Sequence, residues 1–471
     1  MLDKNRMKFN LRSTWQLALW ALLLFINLGC ASSGTAQKTI TETHKQQAAK
    51  LIETAMANDL GFQRLTNFGD RFGHRLSGSE SLEQSIDWIL KTMKEDGLEN
   101  VTAQPVMVPH WVRGDEYVKM ITPRQKALPM LGLGGSIGTP AEGITAEVLV
   151  VRDYEELKSK ADQANGKIVV YNAPFTSYGE TVTYRVDGAV EAAKVGAVAS
   201  LVRSVGNSSM QTPHTGVMYY EEGVRKIPHA AITIEDAQLL QRMQDRGETI
   251  ELELFMEART LPDAPSRNVL AEITGSEYPN EVIVLGGHID SWDVGQGVMD
   301  DAGGCFAAWE AVRLMKELGL RPKRTVRVVH WTNEENGLQG GNTYKDSVVA
   351  QQAIEDHILA MESDSGVFDP QGFGFSGSDE AFEIIQQIGA LLDPLKAGEI
   401  TRGGGGADIS PLMQEGVPGM GLRVDGSKYF WYHHTAADTI DKLDKEAFNK
   451  CVAAMAVMSY VVADMDAPLP R

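Results

Sequence analysis

An α/β fold with helices on both faces of its sheet, interrupted by a smaller β-rich insert, is predicted by three features of the 471-residue chain. From Ser266 onward, apolar runs and helical patterns alternate as strand, loop and helix, an order that packs helices against both sides of a sheet. Between about 118 and 260 that rhythm gives way to short apolar runs bounded by turn residues, which fits a separate small domain. Two of the later apolar runs end in clustered His, Asp and Glu residues, as open sheets present functional groups at the carboxyl ends of their strands.

The elements follow in order. Apolar residues at helical spacing predict helices over Lys45–Met56 and Ser81–Asp96, the second with Ile86, Trp88, Ile89, Leu90 and Met93 on its buried side. A strand over Val101–Val108 comes next. In the middle region Val148–Val151, Lys167–Tyr171 and Ala197–Val202 read as short strands, and Gly188–Val195 as the helix leading into the last of them. Thr233-Ile234-Glu235-Asp236 resembles a capping box opening a helix to Met243, and Ile250–Phe255 alternates as a strand. Beyond Ser266, the helix Gly304–Leu318 stops at Gly319 with Pro322 following, a normal termination signal. Strands over Thr325–Trp331, His357–Met361 and Gly419–Val424, a helix near Glu380–Leu392 and a closing helix Lys445–Met465 complete the pattern.

Hydrophobic content of 43% and charged content of 23% are those of a globular protein. A net charge of −19 argues against nonspecific nucleic-acid binding. Lys4, Arg6, Lys8 and Arg12 precede the apolar stretch Leu17–Ile26 and the small residues Gly29 to Ser33, the layout of a secretory signal peptide over 1–31. That stretch is shorter than the roughly 20 residues a spanning helix needs. Leu28-Gly29-Cys30-Ala31 also resembles a lipoprotein cleavage site that would leave Cys30 lipidated, with Asn27 departing from the pattern; ordinary cleavage near Ala31 or Ala36 and a retained anchor are the alternatives. The expectation is an exported protein, whether periplasmic, outer-membrane lipoprotein or secreted. After Cys30 only Cys305 and Cys451 remain, each in an apolar helical context, and no CxxC pair exists for a thiolate metal site. Pairing of the two stays open.

The candidate site comprises His288, Asp300, Glu334, Glu335, Asp364 and His434. Imidazole nitrogen mixed with carboxylate oxygen suits zinc. Two zinc ions about 3.5–4 Å apart need one bridging carboxylate and a further pair of ligands each. Five of these residues supply that number, and the sixth, Glu334, is left to act as a base. Adjacent glutamates are usually a solvated loop, but Glu334-Glu335 follow a strand and lie beside Asn333 and Gly337. His330 and His357 are read as structural, and Asp300-Asp301 as helix cap and ligand source together.

In these motifs the chain resembles the secreted co-catalytic zinc exopeptidases, the group of bacterial leucine aminopeptidases and glutamate carboxypeptidase. They are His288-x-Asp290, Asp300-Asp301-Ala302-Gly303-Gly304, Asn333-Glu334-Glu335, Glu362-Ser363-Asp364 and His434-Thr435-x-x-Asp438-Thr439. The resemblance covers nearly everything after residue 40. It implies a three-layer αβα catalytic domain with a mixed central sheet, built from 40–117 and 263–471, with a protease-associated insert at 118–262. It also implies two zinc ions per chain, with Asp300 bridging them, His288 and Asp364 completing one, and Glu335 and His434 the other. Glu334 would take a proton from the water between the metals and return it to the leaving amine. Asp290 would hold the His288 tautomer, and the Asp300–Asp301 peptide would be cis. The choice of His434 over His433 rests on the family spacing to Asp438.

The activity expected is hydrolysis of dipeptides or short peptides as a carboxypeptidase or dipeptidase, with an aminopeptidase on longer peptides as the rival. A non-catalytic receptor of the same fold and a single-metal cyclising enzyme are disfavoured by the complete ligand set. Arg402 or Arg423 is a candidate to bind a substrate carboxylate beside the loop Gly403–Gly406, with His433 also near substrate; a mobile surface loop is the plainer reading of that loop. Tyr429-Phe430-Trp431-Tyr432 either lines the pocket or packs in the core. The insert, including the polar stretch Ser204–Gly223, would cover the entrance or form a homodimer contact.

Overall fold

The computed structural model describes residues 40–471; the expected signal peptide and Cys30 lie outside them. The strands are β1 (Glu99–Val112), β2 (Glu116–Thr122), β3 (Lys126–Leu128), β4 (Met130–Gly132), β5 (Ile144–Val151), β6 (Ile168–Tyr171), β7 (Ala199–Arg203) and β8 (His229–Ile232). They continue as β9 (Glu251–Met256), β10 (Arg259–Ile273), β11 (Tyr278–His288), β12 (Arg324–Trp331), β13 (His357–Glu362), β14 (Pro370–Ser376), β15 (Glu399–Arg402) and β16 (Gly419–Val424). Two eight-stranded sheets result among the described residues, ordered β1-β10-β12-β11-β13-β16-β14-β15 and β3-β2-β9-β5-β6-β7-β8-β4.

The first sheet is mixed. Its centre, β12-β11-β13-β16, is parallel, whereas β1, β10 and β14 run antiparallel to neighbours. Alternation along the central strands sends side chains to two cores. Ile283, Leu285, Val326 and Val328 join a cluster with the helices Glu42–Met56, Gly303–Glu317 and Lys445–Asp464. Val282, Val284, Val329 and Trp331 join another with Tyr344 and Val348 of the helix Gln339–Ala350. Burying both faces is what makes these strands nearly continuous apolar runs.

The second sheet is threaded between two antiparallel neighbours of the first: the chain leaves at the end of β1, builds β2 to β9, and returns into β10. It carries its own alternation, with Val148 and Val150 in one cluster and Leu149 and Val151 in another. Its strands span Glu116 to Met256, starting just before the expected 118 and ending short of 262, because Arg259 onward already pairs with β1. The Thr233 hydroxyl caps the helix Ile234–Asp245 by accepting the Asp236 N–H at 3.1 Å, without the reciprocal glutamate bond of a full box.

Sequence patterning missed the helix Leu60–Phe72 and the full length of β1 and β10. Pro105 and Pro109 in β1 and Pro262 and Pro265 in β10 disguise both strands; β1 tolerates its prolines as an edge strand, and the irregular register near Val108 absorbs the rest.

His330 and His357 are structural, as expected. The His330 Nε2 faces the Cys305 carbonyl at 3.0 Å beneath Phe306 and Trp309, and His357 bridges the Tyr344 hydroxyl at 3.0 Å and the Ala353 carbonyl at 2.9 Å. Cys305 and Cys451 are both buried and free, so they do not pair.

Two outcomes are expected. Burial pushes His330 down to about 3 and His357 down to about 4, with the bonds to Cys305 and Ala353 only partly opposing it. Both stay neutral in the fold while the unfolded chain protonates them near the ordinary 6.5. Their contribution to stability is therefore whole above about pH 6.5 and lost as pH falls towards 4. The contribution of His357 is read as a difference: as pH falls over that window, the denaturant midpoint of the wild type should fall relative to that of His357→Gln. Separately, a Cβ on Gly286 would lie 1.8 Å from the Val329 carbonyl oxygen across the parallel pair. Gly286→Ala should cost on the order of 3 kcal/mol in equilibrium unfolding.

Candidate metal centre and active site

Three adjacent parallel strands end at one edge of the first sheet. β11 delivers His288, the turn after β12 delivers Glu334 and Glu335, and β13 leads to Asp364. Asp300 comes from the segment Val298–Ala302 that opens the helix Gly303–Glu317, and His433 and His434 follow the short helix Tyr429–Tyr432.

Asp300 lies between two imidazoles. Its Oδ1 is 3.3 Å from His288 Nε2, and its Oδ2 is 3.4 Å from His434 Nε2. His288 Nε2 also lies 3.5 Å from Asp364 Oδ1 and 4.0 Å from Glu334 Oε2, while His434 Nε2 lies 3.0 Å from Glu335 Oε2. The six side chains expected to meet therefore do meet. His433 stacks on His434 with ring centroids 3.6 Å apart and presents Nε2 to Asp300 at the longer distance of 3.7 Å. The Asp300–Asp301 peptide is cis.

Each of these side chains is held from behind. His288 Nδ1 faces the Asp290 backbone carbonyl at 3.0 Å, whereas the Asp290 carboxylate is 3.9 Å away. That changes the expected role of Asp290: its own carbonyl, not its carboxylate, orients His288. The carboxylate instead accepts the backbone N–H groups of Glu334 at 3.1 Å and Glu335 at 3.4 Å, fixing the turn that carries them. Asp301 accepts from His288 N and Gly304 N, both at 3.2 Å, and so caps the helix while keeping a carboxylate oxygen within 4.8 Å of ligand atoms of His288 and Asp364. Asp438 accepts from the backbone N–H groups of Val298 at 3.2 Å, Met299 at 2.8 Å and Asp300 at 3.2 Å. Arg75, wholly buried, donates to the carbonyls of Ile289, Gln296 and Gly297 and so spans both limbs of the loop between His288 and Asp300.

The electrostatics demand cations. Burial pushes the Asp290 carboxyl upward against His288 and the backbone N–H groups that oppose it, while burial and repulsion between carboxylates push Glu335 and Asp364 upward and Glu334 up to about 8. Burial, then the neighbouring ring, drives His434 well below its usual value, and burial likewise lowers His433. For His288 burial opposes the charge, yet contact with Asp300 and Asp364 wins and raises it. His288 Nε2 and Asp300 Oδ2 are buried and complete no hydrogen bond. The neutral rings of His433 and His434, the His288 Nε2 set among carboxylates where a cation would replace its proton, and the crowded carboxylates together form the donor set of a divalent metal pair.

A cavity of about 340 Å³ opens onto this cluster, lined by Asp300, Glu334 and Asp364 from the first sheet and by Tyr178, Arg185 and Tyr219 from the second-sheet segment. Arg402 and Arg423, the expected carboxylate binders, do not line it. Arg402 pairs with exposed Asp379 at 2.6 Å and Arg423 with Glu399 at 3.2 Å, because β15 is an edge strand facing solvent. Within the glycine run Gly404, Gly405 and Gly406 pack closely against the protein, a Cβ on Gly406 lying 2.1 Å from the Glu362 carboxyl carbon, whereas Gly403 has open space around it. The aromatic run divides. Tyr429 lines the cavity, Phe430 packs on Phe175 and Tyr178, and Trp431 is exposed. Sequence reading overlooked Arg75, Arg185 and Thr215, which lie far along the chain from the motifs they serve; Asp438 was visible only as a spacing mark.

The sequence profile of Peptidase family M28 matches residues 268–459. Carboxypeptidase Q of Xenopus laevis is 51% identical over 437 residues, covering 92% of this chain and 93% of that protein. Carboxypeptidase Q of Homo sapiens is 50% identical over 448 residues, covering 93% and 94%. The crystal structure of a peptidase M28 precursor from Shewanella amazonensis superposes with a TM-score of 0.87 at 35% identity, covering 91% of this chain and 98% of that one. A zinc aminopeptidase from Bacillus subtilis shares the fold, with a TM-score of 0.66 at 17% identity over 86% of this chain and 97% of its own. Half-identity sustained along nearly the whole chain is the mark of common descent, and the chain belongs to peptidase family M28.

Proposed function

We propose that the chain is a zinc-dependent exopeptidase that hydrolyses dipeptides or short peptides, with residues 118–262 as its protease-associated insert. The observation that carries this reading is Asp300 offering one oxygen to each of two imidazoles while Glu334 faces the same cavity. In it, His288 and Asp364 would hold one zinc, Glu335 and His434 would hold the other, and Asp300 would serve both. When bound, the two ions supply Lewis acidity at the peptide carbonyl and make water acidic enough to attack at neutral pH.

The remaining chemistry belongs to side chains. Glu334, close to the cluster but outside the ligand set, accepts the proton of the attacking water on its carboxylate and passes it to the departing amine. Ligation through Nε2 requires the His434 Nδ1 to carry the proton, and that N–H has the Thr215 carbonyl at 3.2 Å. Arg185 Nη1, 3.4 Å from the same Nδ1, then has no acceptor there. Its guanidinium is buried, its Nε is unsatisfied, and among the described residues no acidic side chain forms an ion pair with it. A buried cation on the cavity wall without a counter-charge suits a carboxylate brought by substrate, which favours carboxypeptidase or dipeptidase action over an aminopeptidase. Export, proposed from the charged and apolar pattern of residues 4–33, accords with this degradative chemistry and is tested by the amino-terminal sequence of the mature protein.

Glu334→Gln should retain two zinc ions by elemental analysis yet lose about 10²–10⁴ in kcat, whereas Asp300→Ala should lose metal and activity together. Wild-type turnover by Glu334→Gln would remove Glu334 as the base. Arg185→Gln should raise KM at least tenfold for dipeptides with a free carboxylate and change little for their amides. An amino-blocked dipeptide should still be cut; loss of that cleavage would point to recognition of the amine.

A further inference from the structure

The two imidazoles facing Asp300 are supported from different parts of the molecule. His288 receives its Nδ1 partner from Asp290, two residues along the same loop. His434 receives its partner from Thr215, in the connection between β7 and β8 of the second sheet. The same pair is joined twice, since the Thr215 N–H donates to the His434 carbonyl at 2.9 Å. His434 itself sits at φ 59, a left-handed conformation that a non-glycine residue keeps only where its surroundings impose it.

Thr215 is in turn braced. It is fully buried, its hydroxyl donates to the Gly132 carbonyl at 2.9 Å, and Arg113 Nη2 donates to that hydroxyl at 3.3 Å. Arg113 also grips Asp293, in the loop between Asp290 and Asp300, through two bonds of 2.8 and 2.5 Å. Beside it the Gly134 N–H donates to the Gly216 carbonyl at 3.0 Å, and the Met218 N–H to the Gly134 carbonyl at 2.9 Å. Gly134 presses on the Trp292 ring, where a Cβ would lie 2.1 Å from the nearest ring carbon, and the Trp292 backbone N–H donates to Glu335 Oε1 at 3.2 Å. One continuous brace from the second sheet thus reaches both His434 and Glu335. Among the described residues no comparable brace from the second sheet reaches His288 or Asp364, whose positions come from β11 and β13.

We infer that Thr215 is a positioning residue for one half of the metal pair, so that the position held by Asp300, Glu335 and His434 depends on the docked second sheet while the position held by Asp300, His288 and Asp364 does not. The inference rests on the ligand assignment proposed above. Because the brace orients a ring and strains a backbone rather than touching substrate, loosening it weakens one metal selectively. Metal bound at that position in turn stabilises the docked arrangement by mass action. Loading of the second ion and seating of the insert are therefore linked.

Thr215→Val removes the hydroxyl at nearly constant volume, and Thr215→Ser keeps it. Zinc affinities are measured on the purified full-length proteins by competition with a chromophoric chelator, together with hydrogen exchange of residues 429–435. Wild type should show two sites. Thr215→Val keeps the carbonyl that faces His434 but removes the hydroxyl that braces it, so it should show one site of wild-type affinity and one selectively weakened, by less than the roughly 10–100-fold that follows outright loss of an outer partner of a metal-binding histidine, with faster exchange in 429–435; Thr215→Ser should restore both. Arg113→Lys, which keeps the charge but cannot span Asp293 and Thr215 together, should reproduce the selective loss and serves if Thr215→Val does not fold. Two wild-type affinities in Thr215→Val, or equal weakening of both sites, overturns the inference while leaving the ligand assignment intact. Absence of zinc binding by the wild type would instead overturn the assignment itself.

Discussion

Asp300 is the constraint from which the rest of the site follows. A single buried carboxylate facing an imidazole on each side leaves no room for error in either ring, and both rings must be neutral with a lone pair directed inward. Asp438 holds the backbone of Asp300 by accepting three consecutive N–H groups, and Arg75 clamps the loop that leads to it through backbone carbonyls alone. Burial pushes Asp438 up to about 7 and lowers Arg75 to about 10. Burial thus works against both charges, and the backbone groups that Asp438 and Arg75 bind offset part of that cost.

The sheet converts this local demand into a fold. Parallel order at β12-β11-β13 brings three strand ends to one edge, and the twin cores on either face keep those ends from moving relative to one another. Gly286 and Gly287 matter for the same reason: they sit where β11 runs against the Val329 carbonyl and the Asp301 carboxylate, so that His288 emerges level with Glu334 and Glu335. Asp290 then links strand to strand by its carboxylate, holding the Glu334-Glu335 turn through the backbone rather than through the side chains that do chemistry.

The second sheet divides the labour. Its segment between β1 and β10 brings Arg185, Tyr178 and Thr215 to a site whose acidic residues all come from the first sheet. In the proposed reading the cationic group for substrate comes from the second-sheet segment, the proton-transfer and metal-binding groups come from the first-sheet unit, and the aromatic lining comes from both, with Tyr178 and Tyr219 joined by Tyr429. Such a partition lets substrate preference change without disturbing the metal pair, except at Thr215, where the two units share a histidine.

The chain's own pattern was enough for the α/β order, the central strands, the closing helix and the six converging side chains, because each rests on local periodicity or on short spacing at a strand end. Val282 to Leu285 and Thr325 to Trp331 could hardly be anything but buried strands. Other features lay beyond a linear reading. Proline disguised β1 and β10, whose pairing is set by a partner more than a hundred residues away. Arg402 and Arg423 looked suited to a carboxylate but face Asp379 and Glu399, while Arg185, which has no distinguishing local context, is the arginine that the fold carries to the cavity. The outer partners of His288 and His434 are backbone carbonyls, and a carbonyl has no signature in sequence. Residue type and spacing determined which groups are chemically able to act; only tertiary packing decided which of them meet, because burial and pairing across distant segments select among equivalent side chains.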